Sequence, residues 1–435
     1  MIWLLGGYMW LFVHRPFEVW PVLGAMQIER VYMIVMLVVW MVSPGKGWVP
    51  NRIHYAMAAF TALLTISWLL SPYMEQPICT DTIENYFKVA VFYVLVLTTV
   101  RDERGLRLLI LLFLGAVGLY MAHSMLEFVN GRYQWRMGIR RMIGVDQTFS
   151  DPNAFASSLL YSLPLTLPFW ASRPSTGQRV MLAGYTLGVC ACVALTGSRA
   201  GFVGLCAFAL LALMVTVKRK TLVFVLGCFV GVVGVGVAAV ALPAELQNRY
   251  LTLIDPSYGP KNAAESASGR MAGLLYGIEA WEKSPLLGHG PRAFDFATGR
   301  MGGAHNLYGQ VLSEMGTLGA LALFAVVVCF GLNWLEVRRA YRRHPEWPPD
   351  FPFHVSRAMG LVLVLLLLLG WSGHSLYRYN WQWFAAFQAV AVHCVRKKNW
   401  ESAAETYSAI RAGRLPYLAA RPMHPRGLSF QPARG

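Results

Sequence analysis

Long, uncharged apolar runs are the feature that most limits what this chain can fold into. Several of them reach about 18 residues, the length that an α-helix needs to cross a hydrocarbon core of roughly 30 Å. Of the 435 residues, 56% are hydrophobic and only 14% are charged, and a soluble protein of this size would expose more charge. Because lipid offers no partner for backbone N–H and C=O groups, such runs predict helices. The predicted fold class is an all-α integral membrane protein.

We predict about twelve transmembrane helices in a membrane domain of residues 1–395. The N-terminal segment lacks the basic region and cleavage site of a signal peptide, so the chain is expected to enter the membrane as its own first span. A polar insert, residues 244–303, is predicted to hold short helices on the outer side, and residues 396–435 a basic, poorly ordered tail. The predicted spans are about 1–13, 19–42, 54–71, 86–100, 106–129, 153–172, 179–197, 199–217, 221–243, 304–333, 354–375 and 379–395.

Lys and Arg residues are concentrated in alternate connections between the predicted spans, such as 101–107, 218–220 and 338–343. The positive-inside rule places these connections in the cytoplasm, together with both termini, and places the 244–303 insert outside. The whole net charge of +16 is then assigned to the cytoplasmic side. This balance sets the topology and can attract anionic lipid, and it does not argue for a nucleic-acid partner.

The cysteine pattern predicts neither a disulfide nor a metal site. Of seven cysteines, only Cys79 falls in a predicted outer loop, so no outer pair is available, and no Cys/His spacing typical of a metal site occurs. The sequence also contains no GxGxxG or P-loop motif. We expect no cofactor and no metal.

Arg199 is the strongest candidate for a functional residue. It follows Thr196-Gly197-Ser198 and precedes a continuous apolar run, at the predicted outer end of the eighth span. An arginine at this place needs an anion, water or a carbonyl as partner, because burial of a bare charge is costly. The alternative is an arginine that snorkels to the membrane surface, although such residues prefer the inner side.

Arg270 is the second candidate, inside the polar insert. The apolar residues that follow it fall at helical spacing, with Ser266 and Ser268 as possible caps, so Arg270 is predicted in the first turn of a surface helix. A guanidinium beside free helix N–H groups would suit a phosphate. The alternative is a solvated arginine paired with Glu265 or Glu279.

His305 precedes the tenth span, in Ala304-His305-Asn306. A helix N-terminus disfavours imidazolium, so this histidine is expected to stay neutral and able to accept a proton, as a general base must. The alternative is a histidine that only lines the helix start. His289 and His374 are also predicted on the outer side, and each alone is more often structural.

Four arginines in loop 130–152 break the positive-inside trend and therefore call for a reason. They are Arg132, Arg136, Arg140 and Arg141. One hypothesis is a second contact to an anion or to the acceptor, for which the candidates are Arg136, Arg140, Arg141, His289 and Arg292. The other is simple pairing with Glu127, Asp146 and Asp151. Asp151-Pro152 is most simply a helix start, with Asp151 as cap.

Together these residues resemble the O-antigen ligase and polymerase superfamily of bacterial inner membranes. The resemblance covers roughly residues 145–330, and its order and spacing are more specific than any single motif. It is carried by TFSDPNAFA (148–156), TGSRAGFVGL (196–205), SGRMAGLLYGIEAW (268–281), SPLLGHGPRAF (284–294) and AHNLYGQVLSEMGTLG (304–319).

The resemblance implies a metal-independent enzyme that transfers a glycan from undecaprenyl pyrophosphate at the periplasmic face of the bacterial inner membrane. The family's span arginine, loop arginine and loop-end histidine fall on Arg199, Arg270 and His305. His289 and Arg292 stand where the family usually has small or apolar residues, which leaves the subclass and the acceptor open.

The predicted function is an inverting membrane glycosyltransferase, with lipid A-core as the narrowly favoured acceptor (an O-antigen ligase). A polymerase, with another lipid-linked repeat as acceptor, and a protein O-oligosaccharyltransferase remain open. The rival of another class is a transporter or flippase for a lipid-linked sugar, which would carry charges near the midplane on interrupted helices. We identify no charged residue at a span centre after residue 150, which favours surface chemistry, although Glu29, Arg30 and Glu127 could line a pathway.

Overall fold

The computed structural model describes residues 1–136, 138–147, 150–217, 242–255, 257 and 262–412, with scattered positions between 219 and 240. It is 75% helical with almost no strand. Five of the described helices are long and apolar enough to cross a membrane, namely Glu103–Val129, Thr176–Leu195, Arg199–Thr216, Leu307–Arg343 and Phe351–Gly370. The predicted all-α membrane class is confirmed, and the total of about twelve spans stays a prediction.

Seventeen described helices and one β-hairpin make up the fold. The helices are α1 Ile2–His14, α2 Pro16–Val19, α3 Pro21–Ala25, α4 Ile28–Val42, α5 Ile53–Leu69, α6 Pro77–Thr99, α7 Glu103–Val129, α8 Pro152–Ser162, α9 Leu167–Ala171, α10 Thr176–Leu195, α11 Arg199–Thr216, α12 Ala244–Leu251, α13 Asn262–Lys283, α14 Phe294–Thr298, α15 Leu307–Arg343, α16 Phe351–Gly370 and α17 Asn380–Arg411. A 3₁₀ turn, Leu163–Thr166, joins α8 to α9, and strands β1 Gln134–Arg136 and β2 Ile139–Arg141 pair antiparallel.

Several predicted spans differ from the helices that form. The predicted span 19–42 is divided into α2, α3 and α4, because Pro21 starts a new helix and Gln27 adopts a left-handed φ of 49°. The predicted span 153–172 is interrupted by the 3₁₀ turn, since proline removes a helical N–H and crowds the preceding turn. About half of the residues of the predicted span 221–243 lie outside the described residues.

The tail differs from its prediction in one respect. Helix α17 continues to Arg411, so residues 396–411 are helical although poor order was predicted from residue 396. Residues 413–435 lie outside the described residues.

Helix α17 is the centre of the helix bundle. Its first four turns are buried on all sides, as is usual for a helix that is apolar all round. The Trp383 ring packs against Phe92 of α6 at 4.8 Å between ring centroids and against Phe113 of α7 at 6.0 Å. Helices that are far apart in the sequence therefore surround α17. Their packing brings the loops at one end of the bundle close to one another.

Helix α15 is broken at Gly316, where φ is +64°. The backbone N–H groups of Thr317 and Leu318 donate to the carbonyls of Pro285 and Leu286, at 2.8 and 3.1 Å. A Cβ at Gly316 would lie 2.5 Å from the Leu286 backbone, so a side chain is excluded there. The C-terminal part of the polar insert is thus hydrogen-bonded directly into the break, which satisfies backbone groups that lipid could not.

Candidate functional site

Arg199 is the first residue of α11, where the sequence predicted it, and it is 8% exposed. The Ser198 hydroxyl caps the helix by accepting a hydrogen bond from the Gly201 N–H. The Arg199 guanidinium donates to Thr252 Oγ1 at 3.4 Å. Because Thr252 directly follows α12, the beginning of the insert covers this arginine.

Arg270 lies about two turns inside α13, which begins at Asn262, so the prediction that it occupies the first helical turn is wrong. Alanine and glutamate before it are good helix formers and extend the helix past the proposed caps Ser266 and Ser268. The side chains of those two serines are outside the described residues. An anion bound at Arg270 would therefore contact the guanidinium group. It would not contact the unpaired backbone N–H groups of a helix start.

Two positively charged groups, Arg270 and Arg199, lie close enough to influence each other. Burial lowers the pKa of Arg270 most, the charge of Arg199 lowers it further, and Asp151 acts in the opposite sense. A guanidinium keeps its proton in proteins, so the two positive charges remain side by side. A bound anion would offset their mutual repulsion.

Two more buried arginines hold the turn that leads into α11. Arg249 of α12 donates from Nε to the Gly197 carbonyl at 2.9 Å, and Arg141 of β2 donates from Nε to the Thr196 carbonyl at 2.7 Å. Burial and the neighbouring charge of Arg249 lower the pKa of Arg141 to about 10. The turn itself requires a residue at φ +58°, supplied by Gly197. Arg249 was not identified from the sequence, although it is a basic residue on the outer side of the predicted topology.

The β-hairpin sorts the predicted loop arginines by strand alternation, since successive side chains face opposite sides. Arg141 is buried, whereas Arg140 is exposed and lies over the Tyr133 ring at 5.1 Å. The charge of Arg136 lowers the pKa of His305, so this residue is close to the site. The structure therefore brings Arg136 and Arg141 to the site and turns Arg140 away.

His305 lies two residues before α15 in a left-handed conformation, with φ +43°. Such backbone is uncommon outside glycine and is often found at functional sites. The pKa of His305 is lowered chiefly by burial; Asp151 and Asp295 oppose the shift, while Arg136 and Arg270 add to it. The direction agrees with the expectation from the sequence, but its largest cause is burial and not the helix N-terminus. Its side chain still reaches solvent.

A cleft at His305 encloses about 430 Å³ of space free of protein atoms, partly open to solvent. Its polar lining includes Asp151, His305, His374 and Arg378. The rings of His305 and His374 are 5.2 Å apart between centroids. The sequence identified Asp151 only as a cap, which it is, and did not single out Arg378. A basic residue at a predicted outer span end, against the positive-inside trend, was the available signal.

His289 and Arg292 have different surroundings. The His289 ring bonds the Ala280 carbonyl through Nε2 at 2.9 Å, and its backbone N–H donates to the Ser313 carbonyl. These contacts fasten the insert to α15 and give His289 a structural role. Arg292 lies near the cleft, where its charge lowers the pKa of His374.

Glu314 corrects the sequence analysis, which identified no charged residue deep in a span after residue 150. It lies within α15, is 2% exposed, and accepts a hydrogen bond from Gln310 Nε2 at 3.1 Å. Seven residues separate it from Leu307, or about 10 Å along the helix. It lies just before the break at Gly316, below the cleft.

No group of three or more His, Cys, Asp or Glu side chains within the described ranges is arranged to hold a metal ion. The groups that the site offers are guanidinium donors from α11, α12, α13 and β2, the imidazoles of His305 and His374, and the carboxylates of Asp151 and Asp295. This set can bind a multiply charged anion next to a proton acceptor.

Residues 184–324, about a third of the chain, match the family model described as O-antigen ligase. The match confirms the resemblance to the O-antigen ligase superfamily and includes Arg199, Arg270 and His305. It indicates a glycosyltransferase of the O-antigen ligase or polymerase type, acting on lipid-linked glycan in a membrane. The comparison with curated proteins gave no match.

Proposed function

We propose that this protein is an O-antigen ligase, which moves an oligosaccharide from undecaprenyl pyrophosphate to a hydroxyl of lipid A-core. The proposal rests mainly on one observation. Arg199, from the helix before the polar insert, and Arg270, from a helix within it, lie close together beside His305 at one end of a membrane helix bundle.

Arg199 and Arg270 would bind the pyrophosphate of the donor. As the anomeric C–O bond breaks, negative charge grows on the departing phosphate, and fixed cations at that place stabilise the transition state more than the ground state. Arg141 and Arg249 would act indirectly, by holding the turn that aims Arg199. Planar guanidinium groups suit this task because they can donate two parallel hydrogen bonds to phosphate oxygens.

His305 would act as general base. Its imidazole accepts the proton of the acceptor hydroxyl while the oxygen attacks the anomeric carbon from the side opposite the pyrophosphate. The new glycosidic bond forms as undecaprenyl pyrophosphate leaves, so the configuration inverts. The lowered pKa of His305 supports this role, because a base must be unprotonated before it can act.

The same arrangement of residues could act on other acceptors. The O-antigen ligase is therefore the favoured one of several possible transferases. A second lipid-linked repeat would make the protein a polymerase, and a Ser or Thr side chain would make it a protein O-oligosaccharyltransferase. The site lies at the end of the bundle that the charge pattern places outside the cytoplasm, which supports an inner-membrane protein with a periplasmic site. A reporter fused at the insert and one fused after Trp400 should report opposite sides.

The test is transfer by purified protein from a defined undecaprenyl-linked donor, with EDTA present and with lipid A-core, a second donor molecule or an acceptor peptide in separate reactions. Transfer to lipid A-core alone supports the ligase. Transfer only to another acceptor reassigns the subclass, and a requirement for added divalent metal overturns the metal-free mechanism. Donor that is never consumed in detergent, where transport cannot be scored, would favour the transporter.

A further inference from the structure

Asn306, the residue after His305, has a fully buried side chain that uses its whole hydrogen-bonding capacity. Its Oδ1 accepts from the N–H groups of Tyr308 and Gly309, at 2.9 and 3.1 Å, and thereby caps α15. Its Nδ2 donates to the Arg270 carbonyl at 3.4 Å and to the Trp371 carbonyl at 3.3 Å. An amide has two donors and one oxygen with two lone pairs, so a single side chain joins α13, α15 and the end of α16.

The helices that Asn306 joins are in backbone contact at this point. A Cβ on Gly273 would lie 1.9 Å from the Ala304 carbonyl oxygen, and one on Gly277 would lie 2.5 Å from the Gly309 backbone. Small residues allow helices to approach this closely inside membranes. The joint between α13 and the start of α15 is therefore tight, and the two candidate reactive groups are attached on either side of it.

We propose that Asn306 is a positioning residue that fixes the imidazole of His305 relative to the guanidinium of Arg270. The inference rests on the proposed function, in which one group takes the acceptor proton and the other holds the leaving pyrophosphate. Asn306 follows His305 in the chain and binds the carbonyl of Arg270 itself. A base works only within about 2.6–3.2 Å of its proton, and a misplacement of about 1 Å can cost 10²-fold in rate.

Two substitutions separate capping from positioning. Asn306→Asp has nearly the same shape and keeps the capping oxygen, but a carboxylate cannot donate to the Arg270 and Trp371 carbonyls. Asn306→Ser also keeps a capping oxygen, and its hydroxyl is too short to replace both donors. It adds no buried charge, so it serves as the variant that should fold if Asn306→Asp does not. Aspartate and serine are both good helix caps.

The expected result is a fall in kcat of about 10- to 100-fold for both variants, measured at a pH where wild type is on its plateau. The donor Kd, measured separately by binding of the undecaprenyl-linked donor, should change much less, because Arg199 and Arg270 remain. This division between kcat and Kd is the signature of positioning. A residue needed only for folding would lower the active fraction and leave kcat per folded molecule unchanged.

Asn333 offers a matched control on the same helix. It is also a fully buried asparagine, and its Nδ2 donates to Asn51 Oδ1 at 2.9 Å and to Gln388 Oε1 at 3.3 Å, far along α15 from the cleft. Asn333→Asp should lower the melting temperature in detergent and keep kcat per folded molecule. Wild-type kcat in Asn306→Ser, corrected for folded protein, overturns the positioning role. If wild type itself transfers nothing to any acceptor, the proposed function fails instead.

Discussion

The arginines at the two ends of the bundle differ in the contacts described for them. At the end away from the cleft, Glu336 accepts hydrogen bonds from Arg52 and from Arg396, the latter at 2.6 Å, and Lys398 pairs with Asp350 at 2.8 Å. At the end that carries the cleft, three buried arginines donate to backbone carbonyls, an amide oxygen and a hydroxyl: Arg141 to Thr196 and Asn153, Arg249 to Gly197, and Arg199 to Thr252.

The difference matters because a carbonyl or a hydroxyl positions a guanidinium without cancelling its charge. A carboxylate partner does both. At the cleft end the arginines act on one another: the charges of Arg199, Arg136 and Arg270 all lower the pKa of Arg249, after burial. The cleft end therefore gathers positive charge and is suited to an anionic ligand, whereas at the opposite end Glu336 and Asp350 accept hydrogen bonds from Arg396 and Lys398.

Substitution of the cleft arginines should give the largest effect. Arg199→Ala or Arg270→Ala is expected to lower transfer by about 10²–10³-fold, the usual cost of removing one group that stabilises transition-state charge. Lys should rescue only in part, because it lacks the planar fork. The assay is transfer per folded protein.

Arg396→Ala at the opposite end is the control. It should cost stability and leave the rate of the folded protein near wild type. If Arg270→Ala kept a near wild-type rate, α13 would not be part of the donor site. The contrast between the two ends of the bundle would then be wrong.

Substitution of His305 should have the second-largest effect on transfer. His305→Ala is expected to lose about 10²-fold or more in kcat, the scale of general-base catalysis, with donor binding retained. For wild type, the lowered pKa means that activity should rise with pH, with the midpoint of the rise below the ordinary pKa of histidine, about 6.5. His305→Gln should be as inactive as Ala. Substantial activity in the Gln variant would mean that His305 only orients the acceptor.

Substitution of Asp295 should have a smaller effect on activity, and the direction of the expected pH shift can be stated. Its carboxylate accepts from the Gly303 and Gly302 N–H groups, at 2.6 and 3.2 Å, and so holds the turn before His305. Its charge also raises the pKa of that histidine. Asp295→Asn should therefore lower the pKa of His305 and move the rise of activity to lower pH, read from a pH–rate profile. Asp350→Asn at the opposite end should leave the profile in place.

Two arginines of the hairpin, Arg136 and Arg140, give the comparison with the smallest expected effect. Arg136 lowers the pKa of His305 by its charge, so Arg136→Ala should move the rise of activity to higher pH and reduce the rate a few-fold. Arg140, which faces Tyr133, should tolerate Ala with an unchanged profile. Equal shifts in both variants would mean that strand alternation does not separate these two arginines, and that the hairpin acts only through its total charge.

The sequence alone determined the class of fold and the main candidates of the site. Apolar length is a local property, and an arginine at the outer end of a span is conspicuous because its burial must be compensated, so Arg199 and the membrane class could be found without tertiary information. His305 was identified in the same way, from its place before a predicted span. Pro164 and Pro168, which interrupt the predicted span 153–172, are also local features that the sequence shows by itself.

Only the tertiary structure decided which charged residues share a site. Asp151 lies far from His374 and Arg378 in the chain and meets them at the cleft because α8 packs against α16, while Arg249 of α12 reaches the turn before α11. The break at Gly316 and the burial of Glu314 depend in the same way on neighbouring segments. Hydropathy and periodicity describe each segment by itself. Burial, which sets the pKa values and the demand for an anion, arises only when distant segments come into contact.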